Sequence, residues 1–285
     1  MLLRAVTLAA ALGCAAAASA QSYEFPKTLD VPYVPTGQPT VEAMLRLATV
    51  GPGDYVVDLG SGDGRIVITA ARLFGARGFG VDLDPQRISE SERNAKIAGV
   101  TARVRFQHGS VFDAQFSQAS VVTLYLLPKI NLQLRPRLLT ELKPGTRVVA
   151  HDFDMGNWRP DITASVRGQG STVYFWVVPA QIAGRWNLRF GGAGSDRMRQ
   201  LEIVQEFQEI TVNASEDGKP RAVHEERLEG DRIGFVLVDD ADYLYRYRFE
   251  GRIEGGEMTG TAHGEGSAPR ASFQWRASRA VKASP

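Results

Sequence analysis

Two acidic residues and a run of glycines form the part of the chain best suited to chemistry. Asp58 ends a short apolar stretch and precedes the loop GSGDG at residues 60–64, and Asp82 follows about 20 residues after that loop. Glycines let a backbone approach a ligand closely, and an acidic residue placed there can accept hydrogen bonds from ribose hydroxyls. The spacing predicts a nucleotide-binding unit of strand, glycine-rich turn, helix and second strand.

The loop is not a dinucleotide fingerprint. That fingerprint needs a small residue where this chain has Arg65. The sequence DLGSGDG instead resembles motif I of the class I, seven-β-strand, S-adenosylmethionine-dependent methyltransferases. The resemblance implies that the loop passes under the methionine part of this cofactor and that Asp82 holds its ribose. The alternative is a strand–helix–strand unit whose glycines only make a tight turn.

Three further segments narrow the resemblance: VPYVPT at 31–36, DGRIVI at 63–68 and HDFDMGNW at 151–158. Together they look like the lysine methyltransferases that modify mitochondrial inner-membrane proteins, and their bacterial relatives. This resemblance covers residues 31–180. The cofactor-binding residues that it implies are Thr36, Asp58, Gly60, Ser61, Gly62, Asp82 and Ser110. At Ser110 the family commonly has aspartate, and a hydroxyl hydrogen-bonds more weakly than a carboxylate.

The methyl acceptor is expected to bind beside the fourth strand, where the chain reads LYLLP at 124–128. Tyr125 is the candidate for an acceptor pocket, because an aromatic face attracts an ammonium group; the alternative is a core aromatic. His151 and Asp152 lie at the end of the next strand. Neighbouring strand residues face opposite ways, so the pair is expected to serve as a structural or active-site wall. The four histidines show no metal-ligand spacing, and no metal is predicted.

The order of elements predicts an α/β fold followed by an all-β region. Residues 39–180 alternate strands with helices and end on a hairpin, which indicates a Rossmann-like methyltransferase sheet with helices on both faces. Residues 181–285 hold short alternating segments separated by turn signals. They predict a small antiparallel barrel or sandwich, separate from the active site.

The N-terminal residues predict export. Residues 1–20 combine Arg4, an Ala/Leu-rich run and Ala18-Ser19-Ala20, which is typical of a cleaved signal peptide. Residues 21–38 form a Pro-rich arm, and the chain's one cysteine, Cys14, lies in the leader. The mature chain is expected in the periplasm or outside the cell, without a transmembrane segment. Removing Arg4 with the leader leaves 32 basic and 32 acidic residues, so no nucleic-acid partner is predicted.

These patterns leave three functions open. The main interpretation is an S-adenosylmethionine-dependent methyltransferase that transfers a methyl group to a protein lysine. A second is a small-molecule N- or O-methyltransferase, and the acceptor is then a small amine or hydroxyl compound. A third is an exported binding or scaffold protein that keeps the fold without turnover. The signal peptide favours the third, because it sends the chain where the cofactor is not obviously supplied.

Overall fold

The computed structural model describes residues 34–191, 197–239 and 244–280. The predicted signal peptide, Cys14 and residues 21–33 of the predicted arm therefore lie outside the described residues. The first half contains four helices and seven strands: α1 Gln38–Leu47, β1 Tyr55–Leu59, α2 Arg65–Phe74, β2 Arg77–Asp82, α3 Pro85–Ile97, β3 Val104–His108, β4 Val121–Leu124, α4 Pro128–Glu141, β5 Arg147–His151, β6 Ile162–Val166 and β7 Ser171–Val177.

The seven strands form one sheet in the order β3-β2-β1-β4-β5-β7-β6. The first five are parallel, and β7 and β6 join antiparallel as the predicted closing hairpin. The central strand β4 is buried throughout, as a parallel strand covered on both faces requires. The Rossmann-like methyltransferase sheet is confirmed.

Side-chain alternation along the strands sends apolar residues to two separate layers. One layer packs Val56, Val121 and Val149 against α1 and α2. The other packs the next residues in each strand, such as Val57 and Val122, against α4. Helices therefore cover both faces, as predicted.

The second half contains nine antiparallel strands: β8 Gly184–Phe190, β9 Arg197–Glu206, β10 Glu209–Glu216, β11 Lys219–Arg221, β12 Val223–Glu229, β13 Arg232–Val238, β14 Tyr245–Glu254, β15 Glu257–Gly266 and β16 Ser272–Arg279. Their order is β11-β10-β9-β8-β16-β15-β14-β13-β12. The first strand, β8, pairs with the last, β16. The strands therefore follow each other around a barrel that is open only between β10 and β12, which lie side by side.

The barrel interior is a packed apolar core. It includes Trp186, Phe235, Phe249 and Trp275, and all four side chains are buried. Phe235 stacks on Phe249 with ring centroids 4.7 Å apart. Filled in this way, the interior stabilises the all-β region that the sequence predicts.

One predicted strand in this region is wrong. The sequence suggests a single segment over residues 201–212, whereas the structure has the β9–β10 hairpin there, turning at Phe207 and Gln208. Phe207 adopts the left-handed region with φ 54°. Such two-residue turns normally use glycine at this position. Because this turn contains no glycine, the sequence does not indicate that a turn occurs there.

The predicted domain boundary at residue 180 falls between the two sheets, in the segment that links Val177 to Gly184. The link is held on both sides: Gly145 donates its N–H to the Val178 carbonyl, and Ala180 donates to the Gly230 carbonyl, both at 2.8 Å. The described residues on both sides of this boundary belong to one compact unit, and the boundary stays a prediction. Among the described residues, none of the helices has the length and hydropathy needed to cross a bilayer.

Candidate active site

The glycine-rich loop leaves β1 at the carboxyl edge of the sheet and returns into α2. Gly60 and Ser61 both donate their N–H groups to the Val81 carbonyl at 2.9 Å, which fixes the loop against β2. Gly60 has φ 85° and Gly62 has φ 52°, a region that favours glycine. A Cβ on Gly60 would lie 2.7 Å from Leu126 Cδ2. The loop therefore passes close to the chain after β4 and leaves no room for a side chain there.

Asp82 supports this loop from the end of β2. Its Oδ2 accepts the N–H of Gly62 at 2.8 Å, and its Oδ1 accepts the N–H of Asp84 at 2.9 Å. A carboxylate has about four lone-pair sites. Two remain for ligand hydroxyls, so Asp82 can order the loop and accept from a ribose at the same time.

Asp58 lies buried beneath the loop. Its Oδ1 accepts the hydroxyl hydrogen of Thr123 at 2.7 Å. Burial raises the pKa of Asp58 to about 7, opposed by the Thr123 hydrogen bond and reinforced by the charges of Asp82 and Asp63. Because Asp63 is paired with Arg65, the carboxyl groups of Asp58 and Asp82 are the ones that favour a positively charged ligand here.

Thr36 is buried and bridges the segment before α1 to the active site. Its hydroxyl lies 3.1 Å from Nδ1 of His151. Its carbonyl accepts from Nη1 of Arg65 at 2.8 Å, and Arg65 is paired with Asp63 at 2.6 Å. The segment before α1 is thereby tied to both the glycine-rich loop and the end of β5.

Three aromatic rings form a wall where β4 and β5 end. The ring of Tyr125 lies 4.0 Å from that of His151 and 6.2 Å from that of Phe153, measured between centroids. Tyr125 is half-buried, and burial together with the charge of Asp152 raises its pKa. We call Tyr125, His151 and Phe153 the aromatic wall. Tyr125 thus stands at the sheet edge rather than inside the main apolar layer.

The side chains of His151 and Asp152 do not diverge as strand alternation predicts. Nε2 of His151 lies 3.2 Å from Oδ2 of Asp152. Asp152 takes φ 58°, so the strand ends at His151 and the alternation stops there. Asp152 Oδ1 also accepts the N–H of Thr172 at 2.8 Å. The pair adds a carboxylate to the aromatic wall.

Burial lowers the pKa of His151, opposed by the charge of Asp152. The imidazole is therefore neutral at neutral pH. Its Nε2 is buried and makes no hydrogen bond of good geometry to the described residues. In the tautomer that is protonated on Nδ1 and donates to Thr36, Nε2 has a lone pair that is able to accept a proton.

Ser110 follows β3 at the same edge. Its hydroxyl accepts the N–H of Phe112 at 3.2 Å, which closes a turn. The Ser110 hydroxyl can still donate its hydrogen. The predicted weak hydrogen bond from Ser110 to an adenine is therefore compatible with this position. Ser61 Oγ is buried and has no hydrogen-bond partner among the described residues, which leaves its hydroxyl for a ligand.

The sequence indicated the loop, Asp58 and Asp82, but missed Thr123 and the Thr36–His151 contact. Thr36 and His151 are 115 residues apart, and no local pattern links them. Thr123 is a polar residue in an otherwise apolar strand, a signal that could have identified it. Among the described residues, none of the clusters of His, Cys, Asp or Glu has the arrangement of a metal site.

Comparison with known proteins identifies the family. The model of the ANTKMT methyltransferase domain matches residues 58–162, from the glycine-rich loop to the start of β6. A protein-lysine N-methyltransferase of Saccharolobus islandicus is 44% identical over 151 residues, which are 52% of this chain and 94% of that one. The chain belongs to this methyltransferase family.

Two other relatives show how much of the methyltransferase is shared. The mouse adenine nucleotide translocase lysine N-methyltransferase is 34% identical over 51% of this chain, and the match spans 62% of the mouse protein. A Salinibacter ruber RNA methyltransferase, solved with S-adenosyl-L-homocysteine, is 54% identical with a TM-score of 0.51. It covers 52% of the methyltransferase and 96% of its own chain. Each match leaves close to half of the methyltransferase unaccounted for.

The cofactor is S-adenosylmethionine, and the residues present fit it. Gly60 and Gly62 hold the loop at positive φ, where Gly60 packs closely against Leu126, and Ser61 has a buried hydroxyl with no hydrogen-bond partner among the described residues. Asp58 offers a buried carboxyl, and burial, together with the charges of Asp82 and Asp63, raises its pKa to about 7. A cationic group beside it would lower that pKa. These donors suit a ligand with a ribose and a cationic amino-acid part.

Replacing Asp82 by alanine should weaken S-adenosylmethionine binding. Two ribose hydroxyls and the Gly62 N–H would lose their acceptor, which costs about 1–3 kcal/mol, or roughly 5- to 150-fold in Kd. Asp84→Ala is the matched control, since Asp84 caps α3 through the N–H of Gln86. It should lower the free energy of unfolding while cofactor affinity is kept. Calorimetric titration would contradict the assignment if the two variants bound the cofactor equally well.

Proposed function

We propose that this methyltransferase transfers the methyl group to the side-chain amine of a protein lysine. The observation that carries the proposal is the aromatic wall with the Asp152 carboxylate beside it. Aromatic faces and a carboxylate attract an ammonium group. The archaeal relative, a protein-lysine N-methyltransferase, supports the same acceptor.

S-adenosylmethionine supplies the methyl group on its sulfonium when it is bound. The chain's residues must present a lysine nitrogen in line with that group, and such alignment contributes up to about 7–11 kcal/mol. A lysine has a pKa of about 10.4 in water and must lose its proton first. Desolvation at the aromatic wall lowers that pKa, whereas the Asp152 carboxylate and the cation–π attraction raise it, so a group that accepts the proton is needed.

His151 is placed to take part in this proton loss. Its ring is neutral because burial lowers its pKa, and Thr36 holds it through Nδ1. Asp152, 3.2 Å from Nε2, would stabilise the imidazolium that forms. The proton then leaves through the Asp152 carboxylate, which is partly exposed to water.

The test is transfer of labelled methyl groups from S-adenosylmethionine to three classes of acceptor. These are a library of peptides with a single lysine, a set of small amines, and transfer and ribosomal RNA. The Salinibacter ruber relative is described as an RNA methyltransferase, so RNA must be included. Label in the lysine peptides, absent from copies with arginine in place of lysine, supports the proposal; label in RNA or small amines alone overturns it.

Tyr125→Leu should raise the KM for the lysine peptide. Loss of the cation–π attraction, worth about 0.5–2 kcal/mol, predicts roughly a 2- to 30-fold increase. Tyr125→Phe keeps the ring and should stay close to the wild type. Steady-state kinetics at saturating cofactor checks both, and equal KM values for the leucine and phenylalanine variants would remove Tyr125 from the acceptor site.

We also propose that the protein is exported through residues 1–20 and works in the periplasm or outside the cell. The support is the Arg4 start, the Ala/Leu-rich run and Ala18-Ser19-Ala20. Mass spectrometry of cell fractions should find a mature chain that begins at Gln21. Full-length protein in the cytoplasm alone would overturn this proposal.

A further inference from the structure

We propose that the β9–β10 hairpin of the barrel positions the acceptor side of the active site, with Gln208 as its central positioning residue. The proposal rests on the proposed function, because it takes the aromatic wall as the place where the acceptor binds. It gives a role to a hairpin that lies outside residues 58–162, the part of the chain that the family model matches.

The segment that connects the wall to the barrel is residues 153–161, here called the post-β5 loop. Phe153, its first residue, belongs to the aromatic wall. On one side the loop is held by α4: Asn131 Nδ2 donates to the Phe153 carbonyl at 3.1 Å, and Arg135 Nη1 donates to the Met155 carbonyl at 2.6 Å. The barrel hairpin holds the other side.

Gln208, at the turn of the hairpin, uses its whole side-chain amide on this loop. Its Oε1 accepts the indole N–H of Trp158 at 2.9 Å. Its Nε2 donates to the Arg159 carbonyl at 2.7 Å and to Asp161 Oδ1 at 3.2 Å. One side chain therefore fixes three positions of the loop, and two outer contacts, Asn157–Glu206 and Arg159–Glu209, flank it at 3.3 Å each.

Phe207, the other turn residue, contacts the same loop through its ring. The ring stacks on Trp158 with centroids 6.1 Å apart, and the Arg135 guanidinium lies 5.4 Å from its centroid. Its backbone has φ 54°, which is unfavourable for a bulky residue. Such strain persists where the surroundings hold it in place. The contacts with Trp158 and Arg135, rather than the geometry of the turn, therefore explain why residue 207 is a phenylalanine.

Gln205 makes the hairpin a firm support. Its Oε1 accepts the N–H groups of Ile182 at 2.8 Å and Ala183 at 3.2 Å. Its Nε2 donates to the carbonyls of Ala180 at 2.8 Å and Phe207 at 2.7 Å. The hairpin is thereby joined to the segment between the two sheets as well as to the loop.

We expect substitutions in the hairpin to affect the acceptor side of the active site and the cofactor side differently. The residues predicted to hold the cofactor follow β1 and β2, and none of the hairpin's hydrogen bonds to described residues reaches them. The aromatic wall is continuous with the post-β5 loop. Loosening the loop should therefore displace Phe153 and the acceptor while the cofactor stays bound.

Gln208→Ala tests this in the full-length protein, with Gln274→Ala as the matched control. Gln274 is exposed on β16, and among the described residues its side chain makes a 3.5 Å hydrogen bond to Thr261 within the barrel. For Gln208→Ala we expect about a tenfold or larger drop in kcat/KM for the best-labelled lysine peptide, since small misplacements of an acceptor are costly. The Kd for S-adenosyl-L-homocysteine should stay within about twofold of the wild type, as should all values for Gln274→Ala.

Phe207→Gly is the second variant, because glycine suits the left-handed turn and keeps the hairpin foldable. It removes the ring that stacks on Trp158 and lies beside the Arg135 guanidinium, so it should show the same split between peptide and cofactor. Hydrogen exchange should be faster over residues 153–161 and unchanged over residues 58–64 in both variants. This readout needs no acceptor and stands even if the lysine peptides prove unlabelled by the wild type.

Unchanged exchange over residues 153–161 in both variants would overturn the positioning role. So would an active wild type whose kcat/KM is matched by Gln208→Ala, or an equal loss of cofactor affinity, which would indicate general destabilisation. Failure of the proposed function has a different signature, namely a wild type that labels no lysine peptide while the two exchange patterns still separate.

Discussion

Gly60→Val is expected to abolish S-adenosylmethionine binding. Gly60 has φ 85°, and a Cβ there would lie 2.7 Å from Leu126 Cδ2. A β-branched residue would both strain this backbone and clash with Leu126, which should displace the loop that is predicted to hold the cofactor. Calorimetric titration should show no binding at cofactor concentrations that saturate the wild type.

Gly145→Val separates the local effect from backbone strain. Gly145 has φ 90°, and a Cβ there would meet nothing within 4 Å. It should lose stability through strain alone and still bind the cofactor. A folded Gly60→Val protein that binds like the wild type would show that this loop is not the cofactor cradle.

The cofactor half of the site could be predicted from sequence because its parts are local. The loop, Asp58 and Asp82 lie on consecutive elements, and the structure joins them through the Gly62–Asp82 hydrogen bond. The glycines needed at positive φ are visible as glycines. A short stretch of sequence was therefore enough to predict the conformation of the loop, and its role in binding the cofactor stays a prediction.

The acceptor half could not be predicted in the same way because its contacts join distant parts of the chain. Tyr125 meets His151 across two neighbouring strands, and Thr36 reaches His151 from the segment before α1. The His151–Asp152 pair depends on the left-handed backbone of Asp152. A non-glycine residue in that region gives no warning in the sequence.

The barrel shows the same limit. Its strands were mostly visible as alternating segments, but the Phe207 turn was not, because phenylalanine is not a turn residue. The prediction of a β domain separate from the active site did not anticipate Gln208 or its bonds to the post-β5 loop. Contacts between two folded regions are made by single residues, so they produce little periodic pattern in the sequence from which they could be predicted.

We expect Asp58 to make cofactor binding depend on pH. Its pKa is raised to about 7, first by burial and then by the charges of Asp82 and Asp63. Below that pH the carboxyl is increasingly protonated in the free protein. The ionised form is the one that attracts a cationic cofactor, so part of the binding energy below pH 7 is spent on releasing the proton.

The Kd for S-adenosylmethionine should therefore rise about tenfold for each pH unit below about 7 and level off above it. Binding near pH 6.5 should release a proton, seen as a dependence of the calorimetric enthalpy on the ionisation enthalpy of the buffer. Asp58→Asn should bind weakly at every pH and release no proton. Thr123→Val should move the pH dependence upward, because the Thr123 hydroxyl lowers the pKa of Asp58. A wild-type affinity that stays constant from pH 5 to 8 would show that Asp58 does not face the positive charge of the cofactor.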